Sequence, residues 1–429
     1  MEPRKLAYDL LQRLEKNNQF SNIILDRALT AGDMSDADKG LATALLYGVT
    51  ERRLTLDYQI SRLSARPVES LDMAVLTALR MGLYQLIYMD RIPPHAAINE
   101  TVSLCAKKTA GFVNAVLRAY TRDQRLEYPS AEDEPARFLS VRFSVCLPLA
   151  ERLINDLGFE NTRSLLEGFE ARKPETTVSV NTLKISRDEL LGKIPDSSPA
   201  KYAENGIHVK GSVRKLYGFD DGLFFVQDEA SQICVSAIGA RKGETLIDTC
   251  SCPGSKSFGA AISMKNEGKI LSFDLHEKKL PLIVSGAERL GINIISTSAC
   301  DGRRFLTELE GIADRVLCDV PCSGFGVLSK KPELRYKNPA ESEALPEIQL
   351  AILENACRYL KSGGTLIYST CTVLPKENEE NIRRFLDRNK DFYLDSFNVC
   401  GLDLTDGYIT LRPDIHGTDG FFLARLKKR

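Results

Sequence analysis

Apolar residues in the first 120 positions recur with a helical period. Leu71, Val75, Leu79, Leu83 and Leu86 return every three or four residues, with small Ala74, Ala78 and Gly82 between them, which is the stripe of a helix packed in a bundle. Leu6, Leu10, Leu11 and Leu14 form a second stripe, and Leu41, Leu45, Leu46 and Val49 a third. Pro93-Pro94 breaks the chain before a helix expected from about His95, so that histidine reads as a helix opening rather than as chemistry. Residues 1–125 therefore read as an all-helical domain. Residues 122–136 turn polar and acidic around Pro129 and Pro135, as an exposed connection does. From 137 to 240, helical patterns (Leu149, Leu153, Ile154, Leu157; Leu165, Leu166, Phe169) give way to alternating stretches such as Thr177-Val178-Ser179-Val180, an α+β region.

After about residue 240 the period shortens. Runs at 245–248, 269–274, 293–295, 315–319 and 365–369 alternate with helical segments, which predicts a doubly wound α/β sheet, Rossmann-like, over 241–429. In open parallel sheets ligands lie beyond the carboxyl ends of the strands, so function is expected there. Three of the five runs end in aspartate: Asp248, Asp274 and Asp319.

Composition changes this picture little. With 429 residues and 43% apolar content the chain has room for two or three cores. Lys+Arg number 57 against 58 Asp+Glu, so overall charge does not select a nucleic-acid partner. Residues 1–125 hold 17 Lys+Arg and 14 Asp+Glu, a slightly basic balance. Short clusters (Arg52-Arg53, Lys107-Lys108, Arg241-Lys242, Lys330-Lys331, Lys427-Lys428-Arg429) are each able to meet phosphate, although such pairs are usually a solvated face. Eleven irregularly spaced cysteines read as reduced thiols, no apolar run reaches membrane-helix length, and the opening Met1-Glu2-Pro3-Arg4-Lys5 is polar. We expect a soluble, cytoplasmic protein.

The loop after the first run is Thr249-Cys250-Ser251-Cys252-Pro253-Gly254-Ser255-Lys256-Ser257. Small residues at a helix start let backbone amides approach an anionic group. The Gly-x-Gly-x-x-Gly spacing is absent, and a Walker loop needs glycine at 250 and 255, where cysteine and serine stand. A carboxylate-bearing cofactor remains, with Asp274 suited to a ribose. Two further cysteines, Cys322 in Asp319-Val320-Pro321-Cys322-Ser323-Gly324 and Cys371 in Ser369-Thr370-Cys371-Thr372, fall just past expected strand ends. Two thiols facing one cleft invite covalent chemistry, because a thiolate is a strong nucleophile once its pKa is lowered. Cys105, Cys146, Cys234, Cys357 and Cys400 read as small buried hydrophobes. Cys250-x-Cys252 and Cys318-x-x-x-Cys322 do not match zinc knuckles, and no metal is expected.

Taken together, Pro253-Gly254-x-Lys256, Asp319-x-Pro321-Cys322-Ser323-Gly324, Ser369-Thr370-Cys371-Thr372 and Pro375-x-Glu377-Asn378-Glu379 resemble the two-cysteine RNA cytosine-5 methyltransferases. The segments Pro93-Pro94-His95-Ala96-Ala97-Ile98-Asn99-Glu100 and Gly111-Phe112-Val113-Asn114-Ala115-Val116-Leu117-Arg118 are similar to the NusB-like domain of the bacterial RsmB (Sun/Fmu) family, and Asp419-Gly420-Phe421-Phe422 to its closing strand.

The resemblance covers nearly the whole chain and implies a specific chemistry. Cys371 would add to carbon 6 of a cytosine, Asp319 would hydrogen-bond the ring near N3, and Cys322 would assist the later elimination. S-adenosyl-L-methionine would be held by Cys250, Ser251, Cys252, Pro253, Gly254, Ser255 and Lys256 at its methionine part. Asp274 would meet its ribose and Asp301 its adenine, with Asp319 beside it. The implied partner is 16S ribosomal RNA at a loop or loosened helix, since the base must leave its stack. Residues 1–125 would be the NusB-like RNA-binding domain, 137–240 a linking or RNA-binding region and 241–429 the catalytic domain. The family loop commonly reads Cys-Ala-Ala-Pro-Gly-Gly-Lys. Here Ser251-Cys252 replaces the alanines and Ser255 the second glycine, where a positive φ would cost on the order of 1 kcal/mol. The segment 330–337 has a basic-aromatic character suited to RNA. Two other classes stay open: a non-catalytic RNA-binding or ribosome-assembly factor, and a methyltransferase acting on protein or a small molecule.

Overall fold

The computed structural model describes residues 2–17, 21–31, 34–172 and 176–429. The chain divides into two units, Met1–Glu170 with Lys330–Pro339, and Ala171–Ser329 with Ala340–Arg429. Among the described residues no helix is long and apolar enough to cross a membrane.

The first unit is helical. Val75, Leu79 and Leu83 of the helix Met73–Tyr88 are buried, and the Asp72 carboxylate caps that helix by accepting from Ala74 N–H at 2.9 Å. The second proline of Pro93-Pro94 opens the helix Pro94–Ser103, where a missing N–H costs nothing. These helices share one core with Pro3–Asn17, Asp36–Glu51, Arg53–Ser64 and Lys107–Arg122. Arg80 crosses that core. Its guanidinium meets Asp57 at 2.6 and 2.8 Å and Glu15 at 2.7 Å, so the buried charge is fully matched.

The segment Lys330–Pro339 packs two of its side chains into this unit. Arg335 and Tyr336 turn into the helical unit, whereas Lys331 is exposed. Arg335 is 1% exposed and donates to Phe143 O at 2.8 Å and to Glu51 Oε1 at 3.2 Å. The Tyr336 hydroxyl lies 2.9 Å from Ser144 Oγ and accepts from Arg53 N–H at 3.1 Å, while the Arg53 guanidinium stacks 3.8 Å from the tyrosine ring. Both side chains are used to pack the helical unit.

The second unit contains two principal sheets. Strands β1 (Thr176–Val180), β2 (Ser198–Pro199), β3 (Gly206–Val209) and β4 (Phe224–Val226) form an antiparallel sheet in the order β2-β3-β1-β4. Downstream lie β5 (Thr245–Asp248), β6 (Lys269–Asp274), β7 (Ile295–Ala299), β8 (Ala313–Asp319), β9 (Leu360–Thr370), β10 (Phe392–Leu394), β11 (Phe397–Val399), β12 (Leu402–Leu404), β13 (Tyr408–Leu411) and β14 (Phe421–Lys428). The order β10-β14-β9-β8-β5-β6-β7 is parallel from β9 to β7, with β14 antiparallel at β9 and β13 on β14. β11 and β12 pair separately.

Alternation along the strands explains why the sheet is doubly wound. Leu246, Leu317, Ile367 and Leu423 face the helices Glu229–Ile238, Ser255–Ser263 and Leu280–Leu290. Their neighbours Ile247, Val316, Leu366 and Phe422 face Leu345–Ala356 and Glu379–Arg388. Strands buried on both faces read as continuous apolar runs, which is how they were legible. β7 differs. It is the edge strand, its Ser296, Thr297 and Ser298 are polar, and it starts at Ile295 rather than Asn293 because Gly291 (φ 73°) ends the preceding helix and Asn293 N–H donates to Asn266 Oδ1 at 3.0 Å.

Candidate active site

The loop after β5 folds around its polar side chains. Ser251 donates to Phe273 O through both its N–H (2.8 Å) and its hydroxyl (2.9 Å), so this serine fastens the loop to β6. Cys252-Pro253 is a cis peptide. Gly254 has φ 107°, and a Cβ there would stand 2.6 Å from the Phe258 ring. Ser255 is the first residue of the helix Ser255–Ser263. The left-handed position is therefore Gly254, and the conformational cost expected at Ser255 does not arise.

Asp274, at the end of β6, draws two loops together. Its Oδ1 accepts from His276 N–H at 2.9 Å and its Oδ2 from Cys252 N–H at 3.3 Å. Asp301 turns to Arg303, whose Nε and Nη2 lie 3.0 and 2.6 Å from Oδ1 and Oδ2, and that hydrogen bonding holds its carboxyl below the ordinary range. Asp248 is buried at the end of β5, accepting from Ser257 Oγ at 2.6 Å; burial pushes it up to about 7. The Cys250 thiol lies well above its ordinary value, chiefly through burial, and Cys252 is raised for the same reason. Among the described residues no group of three or more His, Cys, Asp or Glu is placed to hold a metal ion.

The ends of β8 and β9 carry the other candidates. In register, Asp319 lies opposite Ser369, and Ser369 Oγ donates to Asp319 Oδ1 at 2.7 Å. Lys256, at the end of the same loop, donates to Asp319 Oδ2 at 2.6 Å. Both loops after these strands bring their cysteines together. Cys322 Sγ and Cys371 Sγ are 2.9 Å apart, and Cys371 N–H donates to Cys322 Sγ at 3.2 Å. All eleven cysteines are free thiols. The Cys322 thiol is held well above its ordinary value, first by its hydrogen bond to Cys371 and then by burial. Gly326 fixes this approach. Its N–H donates to Cys371 O at 2.9 Å, its carbonyl accepts from Gly420 N–H at 2.8 Å, and a Cβ there would fall 1.8 Å from Gly420 O.

Lys256, Asp319 and Cys371 line one cavity of about 160 Å³, with Val320, Val327 and Phe421 as apolar walls. Asp228, Ser231 and Asp419 complete it, and Arg172 pairs with both Asp228 (3.4 Å) and Asp419. Sequence reasoning missed Arg172, Asp228 and Ser231 as site residues. Asp228 does cap the helix Glu229–Ile238, accepting from Ala230 N–H at 2.9 Å. An acidic residue before an apolar helix reads as a cap. No local pattern in the sequence marks that the cap also faces the cavity.

Comparison with known proteins agrees with this architecture. The NusB family matches residues 1–122, and the family of 16S rRNA methyltransferase RsmB/F matches residues 235–427. The probable ribosomal RNA small subunit methyltransferase B of Bacillus subtilis is 35% identical over 99% of this chain and 98% of its own length. Ribosomal RNA small subunit methyltransferase B of Klebsiella pneumoniae is 31% identical, covering 99% and 98%. Among solved structures, PH0851 matches with a TM-score of 0.81 at 25% identity, covering 100% of this chain and 99% of that one. A methyltransferase homolog protein from Pyrococcus horikoshii matches with a TM-score of 0.58 at 28% identity, covering 68% and 97%. With its doubly wound sheet and this full-length likeness, the chain belongs to the RsmB/F family of S-adenosylmethionine-dependent ribosomal RNA methyltransferases.

Proposed function

We propose that the protein methylates carbon 5 of one cytosine in 16S ribosomal RNA through a covalent bond between Cys371 and carbon 6 of the base. The observation that carries this reading is the 2.9 Å approach of the Cys322 and Cys371 sulfurs, with Cys371 lining the cavity that also holds Lys256 and Asp319. Carbon 5 of cytosine is a poor nucleophile, and methylation of an exocyclic nitrogen would give neither thiol a task. Addition of the Cys371 thiolate to carbon 6 forms an S–C bond and moves the C5–C6 π pair toward the ring nitrogen, which makes carbon 5 nucleophilic. Ser369 and Lys256 each donate to one oxygen of Asp319, which would meet the ring near N3. After methyl transfer carbon 5 gives its proton to water, the C–H electron pair reforms the C5–C6 double bond and the S–C bond breaks with Cys371 departing as thiolate, with Cys322 assisting the elimination.

The β5 and β6 loops fit S-adenosyl-L-methionine. Gly254 leaves a concave backbone at the start of a helix, where a side chain would collide with Phe258, and amides at a helix start attract a carboxylate. Residues 250–256 would hold the methionine portion, Asp274 the ribose and Asp301 the adenine. When bound, the cofactor supplies an electrophilic methyl group on a sulfonium. Residues 1–125 are proposed to bind RNA, 137–240 to link or hold it, and 241–429 to catalyse.

The target base has to be extruded for a thiol to reach its face, so the substrate is a loop or loosened helix. Denaturing electrophoresis with substrate RNA tests the scheme. Cys322→Ala protein is expected to accumulate a covalent RNA complex, and Cys371→Ala protein to form none. Equal trapping by both would remove the assigned roles.

A further inference from the structure

Charges of opposite sign stand near the two sulfurs. Lys256 lines the cavity with Cys371, and its ammonium and that sulfur attract each other. Asp319 is already matched by the same ammonium. Near Cys322 stands Glu377, 2% exposed. Its Oε2 accepts from the N–H of Ser323, next to Cys322, at 2.9 Å and from Gln349 Nε2 at 2.8 Å. Gln349 Nε2 donates as well to Pro321 O at 2.9 Å, so the Pro321-Cys322-Ser323 backbone is gripped at both ends. Tyr368 donates its hydroxyl to Glu377 O at 2.6 Å, which fixes the backbone of the glutamate.

Glu377 Oε1 has no hydrogen-bond partner, and among the described residues no ion pair involves Glu377. A glutamine would satisfy Ser323 and leave less charge buried, so an unmatched carboxyl beside a thiol calls for a reason. Its field makes a negative charge on Cys322 unfavourable, adding to the hydrogen bond to Cys371 and to burial, while Tyr368 keeps its proton and carries no charge.

We propose that Glu377 is a positioning residue that keeps the proton shared by the two sulfurs on Cys322, so that Cys371 carries the negative charge. One proton leaves the pair for solvent. The other stays on Cys322 Sγ, which donates its S–H to the Cys371 sulfur while accepting from Cys371 N–H; no bond to carbon changes. The inference rests on the two-thiol reading for its catalytic meaning. The order of ionisation is a property of the protein alone.

The test is the pH dependence of alkylation by iodoacetamide, followed at each cysteine by mass spectrometry without RNA or cofactor. The position of the inflection reports thiolate formation and is independent of how easily the reagent enters. In the unaltered protein Cys371 is expected to inflect at least about one pH unit below Cys322. Glu377→Gln is expected to narrow that gap by about half a unit or more, and Glu377→Asp, which keeps the charge, to preserve it. An unchanged gap in folded Glu377→Gln protein overturns the proposal. Should that variant not fold, Cys322→Ala and Cys371→Ala proteins each retain one of the two thiols, and a Cys322 inflection at or below that of Cys371 overturns it equally. RNA trapping is a separate measurement, so a failure of the methylation chemistry is distinguishable from a failure of the proton assignment.

Discussion

Asp248 shows how one buried carboxyl sets a pH dependence. It is 1% exposed, and desolvation, opposed by the Ser257 hydrogen bond, raises it from 3.8 to about 7. The folded chain therefore keeps this proton through a pH range in which the unfolded chain has released it. Below pH 4 both states are protonated and no penalty exists. As pH rises from about 4 to 7 the stability contribution falls, and above 7 the loss is complete, about 4 kcal/mol for a shift of this size. Asp248→Asn should flatten that slope and leave the variant more stable than the parent at pH 8, compared by urea denaturation at pH 5 and pH 8. An identical slope in both proteins would assign the pH dependence elsewhere. Asp248, Asp274 and Asp319 were legible as strand-end acids because strand ends in parallel sheets are where ligands lie. The destination of Lys256 was not, since its partner Asp319 stands 63 positions away. Side-chain reach across a sheet leaves no local periodic trace.

At the scale of elements, the β5 loop turns on two neighbouring residues with opposite demands. Gly254 holds φ 107° against the Phe258 ring, whereas Ser255 begins a helix. Gly254→Ala should cost about 1–3 kcal/mol from the backbone alone. Because the displaced turn carries the amides proposed to meet the cofactor carboxylate, calorimetric affinity for S-adenosylmethionine should fall more than about tenfold, roughly 1.4 kcal/mol. Ser255→Gly should bring no gain, since glycine within a helix costs about 0.5–1 kcal/mol. Tighter binding by Ser255→Gly would show that the serine hinders the site. The strands β5, β6 and β8 were readable from apolar runs, and β7 was displaced by two residues because an edge strand with polar Ser296 and Ser298 carries no such run. The segment Lys330–Pro339 likewise carries no trace of the inward turn of two of its side chains. Its lysines and tyrosine have an RNA-binding composition, but Arg335 finds Glu51 and the Phe143 carbonyl, and composition alone does not distinguish a buried guanidinium with partners from a solvated one.

Over the whole molecule the charges nearly cancel, 57 basic against 58 acidic residues, so long-range attraction to RNA is weak and local clusters have to meet the phosphates. The helical and α/β parts were visible as a change of period, whereas the assignment of Lys330–Pro339 to the helical unit was not, because it depends on where a loop packs rather than on its pattern. Among the clusters named from sequence, Lys107-Lys108 stands out in the structure. The helix Lys107–Arg122 contains Lys107, Lys108, Arg118 and Arg122, all exposed, and no acidic residue. Lys242, by comparison, pairs with Glu267 at 2.8 Å. If the helical unit binds RNA as proposed, replacing Lys107 and Lys108 by alanine leaves up to two phosphates without a cation. Affinity should fall across unrelated RNA sequences alike, and the slope of log K against log salt should become shallower by about 0.7 for each phosphate no longer neutralised. Lys242→Ala, whose charge is already matched, should leave the slope unchanged. Filter binding over a range of salt concentrations decides the matter: equal slopes for the double variant and the parent would move RNA binding off this helix.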